Sequence, residues 1–177
     1  TIAISSFACD SAEQPDAAGL WSASRPVGLL HAAGLSDSGL IVDLDCHAVR
    51  RLHAAKATGV WHMHCVGSVA PLEVCTLFSS VASLLGGAGQ ANYSAANACL
   101  DALGSYRRTC ARAAMSVQWG AWAEVGMAAR GAASERMAAM EAASGFGRIG
   151  LAQGLAALGT GVDHAAPSVL GVVPVTW

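Results

Sequence analysis

The sequence predicts an α/β fold, a mostly parallel sheet with helices on its faces. Two observations carry that reading. Short apolar runs ending in Gly or Ser alternate with longer segments of helical period, which is the pattern of an open parallel sheet. The 177 residues are 54% hydrophobic and 12% charged, enough apolar material for one sizeable core and the reverse of a disordered composition.

The elements follow in order. Residues 2–8 (IAISSFA) read as a strand, and residues 11–23 as a short helix or loop with Pro15 near its start. The run VGLLHAAG (27–34) is continuously apolar and ends in Gly, as expected of a buried parallel strand. Residues 46–65 read as a helix carrying Val49, Leu52, His53, Lys56 and Val60. EVCTLFSS (73–80) is the next strand, and residues 92–112 form the clearest helix, with Ala96, Leu100 and Leu103 on one face. AMSVQWG (114–120) is a strand, 123–147 an Ala/Gly/Met-rich loop with a loose helix, 149–158 a helix, and 167–175 a last strand. Ligands on such sheets sit at the carboxyl ends of the strands, so functional residues are expected just after 34, 80 and 120.

Composition excludes several classes. A formal net charge of −2 with scattered basic residues gives no nucleic-acid surface. The apolar stretches are broken well before the ~18 residues a membrane span needs. The start has neither a basic nor an apolar signal region and lacks Met, so the chain reads as a piece of something longer. Six cysteines without a C-x-x-C pair read as reduced thiols of a cytoplasmic protein, and no typical metal-ligand spacing is present.

The stretch FSSVASLLGGAGQANYSAAN (78–97) runs from strand through glycine loop to helix, like a phosphate cradle. Yet the third glycine of G-x-G-x-x-G is missing, since Asn92 follows Gly87-Ala88-Gly89-Gln90-Ala91. The polar residues offer another use. Tyr93 and Asn97 are four apart and share a helix face. Asn is a poor helix-interior residue, although a half-buried Tyr and a surface Asn would also fit. Ser79 and Ser80 end the strand on opposite faces, so at most one points into the cleft. Lys56 is the only lysine, in a largely apolar segment where a surface lysine would be the usual reading. A compact ammonium can sit beside a phenol or a ribose.

With Lys56, Ser80, Tyr93 and Asn97 in that order, the sequence resembles the ketoreductase domain of type I polyketide and fatty acid synthases, in the short-chain dehydrogenase/reductase superfamily. ACDSAE (8–13), LLHAAG (29–34), AKATGVWHMH (55–64), residues 77–103, SVQWGAWAEVGMA (116–128) and VVPVTW (172–177) carry the resemblance. It implies a Rossmann-like fold and NADPH-dependent reduction of a β-ketoacyl thioester. The substrate would ride on the phosphopantetheine of an acyl carrier protein, among neighbouring synthase domains. Ser80 would hydrogen-bond the substrate carbonyl and Tyr93 would protonate its oxygen. A free phenol, with a pKa of ~10, is a sluggish acid at neutral pH, and a nearby ammonium favours its phenolate. Lys56 would supply that charge and hold the nicotinamide ribose, and Asn97 would orient Lys56 and a relaying water. Asp10 matches the adenine contact, Ala32, Ala33 and Gly34 the cofactor-lining turn, and Trp119 and Gly120 the segment beside the nicotinamide. Residues from about 121 to 147, with Trp122 and Met127, match a substrate lid.

The chain departs from that family in two ways. The family's G-T-G-G-L-G loop, its NADPH-selecting Arg and its first two strands precede the region equivalent to residue 1. The chain thus reads as the C-terminal portion (1–177) of one catalytic domain. In the 3-2-1-4-5-6 order the missing strands lie between residues 2–8 and 27–32, so the latter strand is expected to show a bare apolar edge. Weak or absent NADPH binding by the chain alone follows, and a non-catalytic remnant is the alternative reading. In the second departure Ser36-Asp37-Ser38 stands at the stereochemical LDD position and Leu85 where the opposite class has Trp, which leaves product configuration open.

Overall fold

The computed structural model describes residues 6, 8–35, 39–68, 72–125, 145–160 and 165–175. The predicted strand at 2–8 lies almost wholly outside them.

Four parallel strands form one sheet in the order β1-β2-β3-β4: β1 (Gly28–His31), β2 (Val74–Ser80), β3 (Met115–Trp119) and β4 (Val169–Val172). Helices link them, as parallel pairing demands. Helix α1 (Gln14–Ser24) starts with Pro15 in its first turn, where a missing N–H costs nothing. It ends where Arg25 turns left-handed (φ 42) and donates its N–H to Trp21 O. Asp45 caps α2 (Cys46–His53), its carboxylate accepting the Ala48 N–H at 2.7 Å. α2 continues through a π-helical segment, Ala54–Thr58, into α3 (Gly59–Val66). One turn, α4 (Ala82–Leu85), follows β2 and precedes the long helix α5 (Ala91–Thr109). α6 (Leu151–Thr160) packs between β3 and β4 in sequence.

Strand alternation separates two cores. On one face Cys75 and Leu77 of β2 meet Trp21 of α1, Val60 and Met63 of α3, and Leu100 and Leu103 of α5. On the other, Met115, Val117 and Trp119 of β3 meet Ile149, with Phe78, Leu158, Leu170 and Val172 around them. α5 lies close on the sheet at Gly104, where an added Cβ would stand 3.1 Å from Ser168 O and 3.2 Å from Ser116 Cβ.

The strand read over 27–34 needs correcting. Only Gly28–His31 is strand, and Leu30 is 60% exposed. Leu30 aligns with Thr76 on the face covered by α6, but the core there gathers around β3 and β4, away from β1. Among the described residues β1 pairs with β2 alone, so it is the expected apolar edge. All six cysteines are free, and no described helix is long and apolar enough to cross a membrane.

Candidate active site

Lys56, Tyr93 and Asn97 come together beyond the carboxyl end of β2, where Ser80 is the last strand residue. Lys56 sits in the π-helical segment, where the Gly59 N–H reaches back to Ala54 O. Such segments recur at functional sites because one extra residue per turn re-aims a side chain. Lys56 is buried, 4% exposed, against the expectation for an ordinary lysine. Its Nζ donates to Phe78 O at 2.9 Å and lies 5.8 Å from the centroid of the Tyr93 ring. Burial disfavours the ammonium and pulls its pKa down from 10.5 to about 8, with Asp101 pulling the other way. Lys56 therefore stays mostly charged at neutral pH.

Tyr93 stands in the first turn of α5, half-buried, and Asn97 one turn later is fully buried. The surface reading of Asn97 is thus wrong. Its Nδ2 donates to Tyr93 O at 2.8 Å, while Oδ1 is buried without a hydrogen-bond partner among the described residues. A buried amide oxygen in that state is costly unless a further donor arrives.

The two serines divide as strand alternation requires. Ser79 is buried and donates to Asn97 O at 3.3 Å, a structural tie between β2 and α5. Ser80 is half-buried, and its Oγ accepts the Ala82 N–H at 3.2 Å, leaving its own proton available. The glycine loop that follows carries two left-handed residues, Gly86 (φ 73) and Gly89 (φ 69). Gly89 O accepts the Gly39 N–H at 3.0 Å, so the loop shapes the link to α5 and touches the segment after β1.

The remaining expected residues lie as follows. Gly34 adjoins Lys56: an added Cβ would stand 3.0 Å from Cε and 3.2 Å from Nζ. Ala32 and Ala33 are exposed beside it. Asp10 is exposed at the entry to α1, its carboxylate accepting the Ala12 N–H at 2.9 Å, away from the Lys56 cluster. Trp119 packs into the second core, 5.5 Å from the Phe78 ring and 4.9 Å from Trp122, rather than into the Lys56 cluster. Gly120 lies against β4, with its N–H on Val172 O at 2.8 Å. Trp122 also bridges to Ile149, and Met127 lies outside the described residues.

Sequence reasoning missed two groups. His31 at the end of β1 is buried, and neither ring nitrogen has a hydrogen-bond partner among the described residues. Burial first, then the Lys56 charge, lower its pKa to about 4, so it is neutral at physiological pH. Asp101 on α5 gathers Ser83, Ser116 and Gln118 within hydrogen-bond distance. Polar residues alternating along an otherwise apolar strand, Ser116 and Gln118, were the available signal. A cavity of ≈ 220 Å³, lined by Gly67, Leu72, Arg107 and Ala113, lies at the opposite ends of β2 and α5. No metal-ligand cluster occurs among the described residues.

Comparison with known proteins gives the family of this fold. A model of the KR domain matches residues 1–124. Polyketide synthase GfsA of Streptomyces halstedii is 44% identical over 124 residues, covering 67% of this chain and 2% of that protein. Erythronolide synthase EryA2 of Saccharopolyspora erythraea is 40% identical over 119 residues, 66% of this chain and 3% of that protein. The first ketoreductase of the tylosin polyketide synthase superposes with a TM-score of 0.83 at 35% identity, over 96% of this chain and 36% of the other. An A1-type ketoreductase gives 0.87 at 32% identity, over 97% and 36%. The chain thus spans about a third of these solved ketoreductase chains.

Proposed function

From the premise that the chain belongs to the KR domain family of type I polyketide synthases, we propose that it carries the reducing site of a ketoreductase. The reaction is NADPH-dependent reduction of a β-ketoacyl thioester to the β-hydroxyacyl thioester. The substrate is presented on the phosphopantetheine of an acyl carrier protein within a larger synthase. The observation that carries this reading is the buried ammonium of Lys56, held on Phe78 O beside the Tyr93 ring.

The chain's own groups divide the work. Ser80 has a free hydroxyl proton to donate to the ketone oxygen. Tyr93 delivers the proton to that oxygen, and the adjacent ammonium favours the negative charge left on the phenol. Asn97 Oδ1, buried and unpartnered, accepts a hydrogen bond from Lys56 or from a water returning the proton. NADPH, when bound, would supply the hydride for the ketone carbon. Gly34, with no side chain in front of Lys56, leaves room for the cofactor's sugar at that ammonium. The sequence suits that end of the cofactor but contains no G-x-G-x-x-G cradle for the diphosphate. The competing reading is a non-catalytic remnant.

The test joins this chain behind the nucleotide-loop half of a solved ketoreductase. NADPH-dependent reduction of a β-ketoacyl thioester is expected, with Tyr93→Phe lowering kcat by ~10²–10⁴. A folded chimera that stays inert supports the remnant reading. The chain alone is expected to show no saturable NADPH fluorescence.

A further inference from the structure

We propose that Asp101 is a positioning residue of this site, fixing the Ser80 turn against α5 and β3 and placing a negative charge on the helix that packs against the Lys56 segment. The proposal rests on reading Lys56, Ser80, Tyr93 and Asn97 as the reacting groups. Asp101 follows Asn97 by four residues and Tyr93 by eight, so all three share one face of α5. Its Oδ1 accepts from Ser116 Oγ at 2.6 Å. Its Oδ2 accepts from Gln118 Nε2 at 2.8 Å and lies 2.6 Å from Ser83 Oγ. Ser83 Oγ is also 2.8 Å from Ser80 O, so its one proton serves two acceptors in turn. Gln118 Nε2, 3.0 Å from that hydroxyl, donates to it. Three elements, α4, α5 and β3, thereby meet on a single carboxylate, next to the residue that must hold the substrate carbonyl.

The same carboxylate acts on Lys56, whose ammonium it stabilises against burial. The titratable groups tied to Lys56 are His31 on β1, which it repels, and Tyr93 and Asp101 on α5. Asp101 is the acid among them. A merely structural aspartate would hold helix to strand without setting the charge on a lysine.

Lys56 is the only lysine of the chain, so labelling lysine with carbon-13 at Cε gives one resonance to titrate. Wild type is expected to titrate near pH 8. Asp101→Asn should move the midpoint to lower pH and speed amide exchange at Val81–Leu85. Ser83→Ala keeps the carboxylate, so the midpoint should stay while exchange at the turn rises about fivefold, the equivalent of one ordinary hydrogen bond. An unmoved midpoint in Asp101→Asn overturns the proposal, as does wild-type exchange in Ser83→Ala. If Asp101→Asn fails to fold, the Ser83→Ala exchange decides. None of these readouts needs turnover, so the two failures are distinguishable: an active chimera with an unmoved midpoint overturns the role of Asp101 alone, while an inert chimera overturns the ketoreductase reading and with it any positioning role.

Discussion

At the scale of the residue, Lys56 sets stability against function. Its ammonium is buried and donates to Phe78 O, and its pKa falls from 10.5 to about 8. At ~1.4 kcal/mol per unit, that difference is a penalty of ~3 kcal/mol on the folded state. The sign follows from proton counting. Below pH 8 both states hold the proton, and the penalty is constant. Between about 8 and 10.5 the unfolded chain holds more of it, so stability rises with pH; above that window the penalty is gone. Lys56→Met, similar in length and uncharged, should therefore be more stable than wild type at pH 7, by up to ~3 kcal/mol less the value of the lost hydrogen bond. The advantage should shrink by ~2–3 kcal/mol by pH 10. Urea unfolding of both chains at the two pH values measures it. A gap independent of pH would show that the charge is not what the fold opposes. Gly34 guards the same group: Gly34→Ala places a methyl 3.2 Å from Nζ, and in the active chimera it should cost activity before it costs stability.

At the scale of the element, the periodic segments were legible and the irregular ones were not. Helix α5 and strands β2 and β3 fall within a few residues of their sequence readings, because burial there is continuous and the periods are clean. The π-helical segment was invisible. It inserts one residue into the turn, so the pattern before and after it falls out of phase, and no single helical period points Lys56 inward. One-turn α4 has no period at all, which is why Ser83, and with it the Asp101 network, escaped notice. Asn97 was judged by its helix propensity, and its tertiary setting against Ser79 of β2 overrode that. Contact between α6 and Trp122 offers a test at this scale. A Cβ at Gly154 would overlap the Trp122 indole, which itself stacks 4.9 Å from Trp119. Gly154→Ala gains ~1 kcal/mol of helix propensity, but overpacking costs ~1–3 kcal/mol. A net loss of stability is expected, with altered Trp fluorescence. Equal or higher stability would mean that the indole yields freely and does not anchor α6.

At the scale of the whole molecule, a parallel sheet needs cover on both faces and a partner at each edge. The described residues meet the first demand fully on one face only. α1, α3 and α5 bury Cys75 and Leu77, while the core on the opposite face centres on β3 and β4. The consequence is written in β1, with Leu30 60% and the preceding Val27 68% exposed. A second apolar stretch, Leu40 to Val42, is 62–82% exposed along the segment that leads to α2. Apolar surface of this kind marks a place where other protein is meant to sit, or where copies of the chain will stick. In solved ketoreductases, of which this chain spans 36%, most of the polypeptide lies beyond the equivalent region. The isolated chain is therefore expected to self-associate as its concentration rises, and Val27→Thr with Leu30→Thr should weaken that association. Threonine is β-branched and so suits a strand, and replacements at exposed positions usually change stability by no more than ~0.5 kcal/mol. Light scattering over a concentration series distinguishes the two chains. If both associate equally, the uncovered face of β1 is not the adhesive surface, and the Leu40–Val42 segment becomes the next to replace. If the chimera with a nucleotide-loop half scatters as a monomer without either substitution, the same face has found its cover.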